Sequence, residues 1–101
     1  MSTSIYAVTY AYSDDVTLRD EHRAAHREYL AGLADEGRMV VSGPWGADEA
    51  PGALLLFRGG SADEVRAMTA EDPFVTIGVV VEQTVRAWEP VLGPGKDAFA
   101  G

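Results

Sequence analysis

A histidine lies on the apolar face of the longest amphipathic helix that the sequence predicts. At helical spacing the apolar stripe consists of Leu18, His22, Ala25, His26, Tyr29, Leu30 and Leu33. Such a stripe normally packs against a core, where an imidazole is either a hydrogen-bonded structural group or the base of a buried site. His26 is therefore the first residue of this chain to consider for chemistry.

Asp72 is one of the acidic residues of this chain and lies far from His26 in sequence, so only the fold can bring the two together. If the fold brings them together, the carboxylate can accept the Nδ1 proton and leave Nε2 as a general base. Such a pair suits proton abstraction or proton transfer on a small organic molecule. Because an Asp before a proline also commonly begins a turn, a purely structural role for Asp72 stays open.

Other candidate residues flank this pair. Arg23, at the edge of the stripe, is suited to a substrate carboxylate or phenolate, or else is an exposed solubilising side chain. Ser42 and Gly43 precede a proline and face either a ligand or simply a strand-ending turn. His22 lies one helical turn before His26, at the rim of the pocket or in plain packing. Because two histidines are too few to hold a metal, we expect neither a metal nor a cofactor.

Composition limits the classes of partner. The chain has 101 residues, 47% apolar and 24% charged, with a net charge of −8 and no cysteine. A strongly acidic chain does not favour nucleic acid or anionic membranes, and the absence of cysteine excludes thiol catalysis and disulfides. No stretch is apolar over the ~20 residues that span a bilayer, and the N-terminus does not resemble a secretion signal. We therefore expect a cytoplasmic protein with a small-molecule ligand.

The order of predicted elements is β-α-β-β-α-β. Thr17 is the expected N-cap of the first helix and Gly37 its end, while Ser61 and Glu64 match a capping box that starts the second helix. This order predicts a ferredoxin-like α+β fold, with a four-stranded antiparallel sheet and two helices on one face. Strands are expected over about 4–12, 38–42, 53–57 and 79–88, and helices over about 17–36 and 61–71. Residues 1–92 form the predicted domain and 93–101 a loose C-terminal tail.

Both faces of the predicted sheet are apolar. In the first strand Ile5 and Ala7 point to one face, and Tyr6 and Val8 point to the other. The other strands also carry apolar residues on both faces. In the fourth strand, Val80 and Trp88 are expected to share one face. Two helices cover only one face, and an exposed sheet face of this size exceeds what monomers usually tolerate. We therefore expect a homodimer with its sheets packed back to back; the alternative is a monomer whose tail or loops cover the second face.

The chain resembles the YciI-like (YCII-related) domain family. The resemblance runs from about Tyr6 to Trp88 and is carried by Arg23-Ala24-Ala25-His26, Ser42-Gly43-Pro44 and Asp72-Pro73-Phe74, in this order and spacing. It implies a dimeric α+β barrel of ferredoxin-like subunits and an active site of His and Asp that falls on His26 and Asp72. It also implies a link to dehydrochlorination in the breakdown of chlorinated aromatic compounds.

Two functions of different class follow. The first is a small cofactor-independent enzyme, similar to lyases, isomerases or dehydrochlorinases, with His26 as the base and Asp72 as the residue that orients it. The second is a noncatalytic dimeric domain that binds a small ligand or another protein. Sequence alone predicts no particular substrate, because the shape of the pocket depends on the loop over residues 47–51.

Overall fold

The fold is ferredoxin-like, as predicted. A computed structural model describes residues 3–100, and its four strands pair antiparallel in the order β2-β3-β1-β4 with the helices on one face. The elements are β1 (Ser4–Tyr12), α1 (Val16–Asp35), β2 (Met39–Pro44), β3 (Gly52–Gly59), α2 (Ala62–Ala70), α3 (Pro73–Thr76), β4 (Val80–Trp88) and a 3₁₀ helix (Pro94–Phe99). The central pairing of β1 with β3 and β4 requires the two βαβ crossovers that the sequence order predicts.

Helix α1 begins two residues earlier than the sequence suggests. Asp15, and not Thr17, is the N-cap, because its Oδ1 accepts the backbone N–H of Leu18 at 3.0 Å. Gly37 follows the end of the helix with a φ of +78°, the left-handed conformation that glycine adopts without strain. Within residues 3–100, no helix is both long and apolar enough to cross a membrane.

Local capping contacts begin both α2 and α3. The Ser61 hydroxyl accepts the N–H of Glu64 at 3.1 Å, and the Glu64 carboxylate accepts the N–H of Gly60 at 2.9 Å, so the predicted capping box is present with its return bond shifted by one residue. The sequence suggested a simple break at Asp72. Instead Pro73 occupies the first position of the short helix α3, where its missing N–H costs nothing.

The core lies between the helices and one face of the sheet. Its buried residues are Val8, Tyr10, Leu30, Leu33, Met39, Ala53, Leu55, Phe57, Val65 and Met68. The members from β1 (Val8, Tyr10) and from β3 (Ala53, Leu55, Phe57) are spaced two residues apart, which is the alternation expected of strands. The stripe of α1 is only partly core: His26, Leu30 and Leu33 are buried, whereas Ala25 is exposed.

A register shift changes which residues of β4 face the core, and β2 is longer than predicted. The register shifts at Ala11/Tyr12, so Val80 pairs with Tyr12 and packs on the core, while Trp88 pairs with Ile5 on the opposite face. The expectation that Val80 and Trp88 share a face is therefore wrong, because a bulge interrupts the alternation. Strand β2 also continues through Pro44, which pairs with Ala53, instead of ending at Ser42.

The C-terminal segment is not a loose tail. It forms the 3₁₀ helix, whose Phe99 ring meets the edge of Trp88 at 5.4 Å between centroids. Arg58 donates to the carbonyl oxygens of Ala98 and Ala100 across the outer end of the sheet. The segment therefore covers one end of the outer face of the sheet, which is the face opposite the helices, at Trp88.

Candidate active site

His26 and Asp72 are in direct contact. His26 lies in the middle of α1 with 8% of its surface exposed, and its Nδ1 is 2.8 Å and 3.0 Å from the two carboxylate oxygens of Asp72. The contact exists because the start of α3 packs against the centre of α1. The fold therefore brings together the two residues that sequence reasoning paired.

Asp72 is fully buried and accepts hydrogen bonds from three elements. Besides His26, the Tyr10 hydroxyl on β1 donates to Oδ2 at 2.9 Å, and the backbone N–H of Phe74 donates to Oδ1 at 3.0 Å. A buried carboxylate requires such partners, because an unpaired one costs several kcal/mol. Three convergent donors are the environment of an ionised carboxylate.

The hydrogen bonds around Asp72 assign the histidine tautomer. Because an ionised Asp72 can only accept, Nδ1 of His26 carries a proton, and in the neutral imidazole Nε2 then presents its lone pair. Nε2 has no hydrogen-bond partner among residues 3–100, and none of their fully buried polar side-chain atoms lacks one. Nε2 is therefore not sealed inside the protein, and it is the atom that a ligand can reach.

An aromatic cluster fixes the plane of the imidazole. The Phe74 ring stacks on His26 with 4.0 Å between centroids and 5° between planes. The edge of Tyr12 packs on Phe74 at 5.5 Å, and the Arg19 guanidinium lies 5.5 Å from the centre of the Tyr12 ring. With one face covered by Phe74 and Nδ1 held by Asp72, the direction of Nε2 is set.

A cleft of about 700 Å³ opens beside His26, between α1 and the β2–β3 connection. Such a volume suits a small organic ligand. The α1 wall includes Arg19, Arg23, His26 and Arg27, and the opposite wall includes Ser42, Gly43, Pro44, Trp45 and Glu49. Phe74, Leu55 and Ala53 lie among its apolar lining residues.

Burial and charge raise the pKa values of the tyrosines near the site. Desolvation raises the pKa of Tyr12 to about 12; Asp72 adds to the shift, and Arg19, Arg23 and Arg27 oppose it. For Tyr10, desolvation first and then Asp72 hold the phenol pKa far above its ordinary value. Both hydroxyls therefore stay protonated at neutral pH, so Tyr10 remains a donor to Asp72.

Of the six binding and catalytic candidates from the sequence, four line the cleft and two do not. Arg23, His26, Ser42 and Gly43 line it, and Asp72 lies directly behind His26. His22 is half-buried on the same helix but is not among the lining residues. In the described chain, no group of three His, Cys, Asp or Glu residues has the arrangement of a metal site.

Sequence reasoning missed several residues of the site. Trp45 and Phe74 give no chemical signal in the sequence, yet Trp45 lines the cleft and Phe74, which is buried, stacks on the imidazole. Tyr10 is a buried strand residue, and its bond to Asp72 has no local signal. Arg27, next to His26 in sequence, could have been found only by knowing that the β2–β3 connection approaches that side of α1.

Comparison with known proteins identifies the family. A sequence model of the YCII-related domain matches residues 4–89. The chain belongs to the YCII-related domain family. Within this family of domains the match covers the whole sheet and all the α-helices, so the site described above lies entirely inside the matched region.

This YCII-related domain is similar to two proteins whose names indicate aromatic chemistry. One is the derivative of benzaldehyde biosynthesis cluster protein C of Emericella nidulans, 35% identical over 81 residues that cover 71% of this chain and 83% of the relative. The other is the solved structure of 5-chloro-2-hydroxyhydroquinone dehydrochlorinase from Burkholderia phenoliruptrix AC1100, in complex with 2,5-dihydroxybenzoquinone. It superposes with a TM-score of 0.73 at 25% identity, over 86% of this chain and 95% of its own.

Proposed function

We propose that this YCII-related domain is a cofactor-independent enzyme that transfers protons on a small aromatic substrate, with His26 as the general base and Asp72 as the residue that orients it. The proposal rests on one observation, which is that the two ring nitrogens of His26 lie in different environments. Its Nδ1 is held by a buried carboxylate, and its Nε2 is free of protein partners beside a cleft of ligand size.

The proposed chemistry follows from the hydrogen bonds. Nε2 takes a proton from a ring hydroxyl or an adjacent C–H of the substrate, and Asp72 stabilises the imidazolium that forms. The Tyr10 and Phe74 donors hold Asp72 in place during this step. The same Nε2 then returns the proton at another position, so no further acid is needed.

The substrate class is supported by the dehydrochlorinase relative, whose substrate is a chlorinated hydroxyhydroquinone. Loss of HCl from such a ring moves one hydroxyl proton to the chlorine-bearing carbon and removes a second hydroxyl proton. When the second hydroxyl loses its proton, the electron pair of its O–H bond forms a quinone carbonyl. Chloride leaves at the same time and takes the two electrons of the C–Cl bond. Both proton movements suit one imidazole that alternates between base and acid.

In this proposal Arg23, Ser42 and Gly43 bind substrate, because all three line the cleft. The Arg23 guanidinium is held by Asp20 at 2.7 Å and reaches the cleft from its rim. The position of His22 outside the lining does not support a substrate contact within one chain.

We also propose that the domain acts as a homodimer. Its outer sheet face remains apolar where the C-terminal segment does not reach: Val41 is 52% exposed, and Leu54 is half-buried on the same face. Packing two such faces together would bury this surface.

Substitution of His26 tests the enzyme against the noncatalytic alternative. His26→Asn keeps an N–H donor near the position of Nδ1 and removes Nε2, so we expect melting close to wild type and turnover lowered about 10²–10⁴-fold. His22→Asn, one turn away and outside the cleft, is the matched control and should leave turnover unchanged. Turnover is measured as chloride release and ring absorbance on hydroxylated and chlorinated aromatic compounds.

The noncatalytic alternative predicts a different pair of results. If His26 is purely structural, His26→Asn and His26→Ala should both lower stability, by about 1–3 kcal/mol. The wild type should then show no turnover on any compound of the panel. That combination would refute the enzyme proposal and favour a ligand-binding domain.

A further inference from the structure

The cleft is locally cationic in an acidic protein. The whole chain carries 16 acidic and 8 basic residues, yet three arginines line this cleft and its only acidic lining residue is Glu49. Low-dielectric walls focus such a local charge and raise the concentration of oppositely charged ligands. The sign of the cleft therefore differs from the sign of the molecule.

Helical spacing places the three arginines in one row. Arg19, Arg23 and Arg27 follow one another at four-residue intervals on α1, so they lie on one side of the helix, next to His26. All three oppose the rise in the pKa of Tyr12, because their positive charges lie near this wall of the cleft. A ligand whose reacting atoms meet Nε2 of His26 therefore meets this row as well.

The three guanidinium groups differ in what they already bind. Arg19 donates to the carbonyl oxygen of Ser13 at 3.2 Å and lies over Tyr12, and Arg23 is paired with Asp20 at 2.7 Å. Arg27 forms neither a salt bridge nor a side-chain hydrogen bond with any residue from 3 to 100, and it is exposed at the cleft. Its five donors are thus available to a ligand.

The opposite wall suits a flat ring. Pro44 and Trp45 present apolar and aromatic surface from the β2–β3 connection, while the α1 wall supplies charge. A planar ring with an anionic substituent would satisfy both walls at once, the ring packing near Trp45 and the anion meeting a guanidinium.

We propose that the cleft selects aromatic ligands that carry a carboxylate or phenolate, and that Arg27 is the residue that binds this anionic group. The proposal deepens the proposed function, since it places the ligand in the same cleft, but it concerns binding and not turnover. Arg19 contributes to the positive potential of the cleft and Arg23 binds the ligand from the rim, while the unpaired guanidinium of Arg27 contacts the anionic group itself.

The test compares two probes that share one ring and differ in charge and in a single methyl group. At pH 7, 2,5-dihydroxybenzoate carries a carboxylate, whereas methyl 2,5-dihydroxybenzoate is neutral. Binding of each to the full chain is measured by calorimetry. We expect the carboxylate to bind about tenfold more tightly than the ester, and this preference to weaken between 50 and 500 mM salt, since the Debye length falls over that range.

Matched arginine variants locate the contact. Arg27→Gln should remove most of the preference for the carboxylate, and Arg27→Lys should restore part of it. Arg66→Gln removes the same charge from α2, outside the cleft, and should leave the preference intact. Equal affinity for both probes, a preference that survives Arg27→Gln, or failure of both probes to bind at millimolar concentration would overturn the inference.

The same measurements keep this inference separate from the proposed function. His26→Asn should retain the carboxylate preference while losing turnover. If the wild type proves inactive on every substrate yet shows the Arg27-dependent preference, the proposed enzyme activity fails and the ligand class stands. If turnover depends on His26 but the preference is absent, the ligand class fails alone.

Discussion

The hydrogen bond from Tyr10 to Asp72 allows a direct test of how a residue of the sheet holds the carboxylate of the site in place. Tyr10→Phe removes one hydroxyl and leaves the ring in place, so it changes the support of Asp72 without opening a cavity. Both partners are buried, and the distance is 2.9 Å. A hydrogen bond to a charged group contributes about 1.5–3 kcal/mol, which corresponds to a fall in Tm of roughly 6–24 °C for a domain of this size.

Tyr29→Phe is the matched control for this substitution. The Tyr29 hydroxyl donates to the backbone carbonyl of Met68 at 2.7 Å, from a half-buried position and to an uncharged acceptor. Its loss should therefore cost only about 0.5–1.5 kcal/mol. A double-mutant cycle of Tyr10→Phe with Asp72→Asn isolates the charged contribution, for which we expect a coupling of about 0.5–3 kcal/mol.

The pH dependence of unfolding provides a second signature of the same bond. An unfolded tyrosine ionises near pH 10, whereas burial and Asp72 keep Tyr10 protonated in the folded protein well above that value. Above pH 10 the unfolded state therefore binds fewer protons than the folded one, and stability falls as pH rises. Wild type should lose up to about 1.4 kcal/mol per pH unit through this residue, a loss that Tyr10→Phe does not suffer.

The assay is denaturant unfolding of wild type and both variants from pH 7 to 11, followed by the pH profile of kcat/KM once a substrate is known. The stability gap between wild type and Tyr10→Phe should be largest at neutral pH and narrow above pH 10. Because Tyr10 positions Asp72 and touches no ligand, we expect the variant to alter the pH profile while retaining much of kcat. A gap no larger than that of Tyr29→Phe, and constant with pH, would refute the reasoning.

Two further predictions concern the sheet. Gly52→Ala would place Cβ 2.1 Å from the carbonyl oxygen of Tyr10, so we expect chemical denaturation to show a loss of at least about 2 kcal/mol in the free energy of unfolding. Gly46→Ala, with open space around it, is the control and should be nearly neutral. Equal stability of the two variants would contradict the close approach of β1 and β3. If the homodimer forms, Leu54→Asp on the outer face should halve the mass measured by light scattering. Leu92→Asp, at a site that is 95% exposed, is the control and should leave the mass unchanged. A wild-type protein that is already monomeric would refute the dimer proposal.

The sequence by itself determined the parts of this protein that depend on local periodicity and capping. The 3.6-residue spacing of α1, the alternation of β1 and β3, the glycine at position 37 and the Ser61–Glu64 pair each act over a few residues, so each could be recognised without the fold. The pairing of His26 with Asp72 was available as a hypothesis only through the resemblance to the YciI-like family, because no local pattern singles out Asp72 among the 16 acidic residues of the chain.

Only the tertiary structure decided which side chains meet. His22 and His26 are one turn apart on the same stripe, yet the start of α3 packs where His26 lies, so only His26 contacts Asp72. Tyr10 reaches Asp72 because β1 occupies the centre of the sheet, and Arg27 becomes a cleft residue because the β2–β3 connection approaches α1. Contacts between residues distant in sequence depend on how elements pack, and no local pattern encodes that packing.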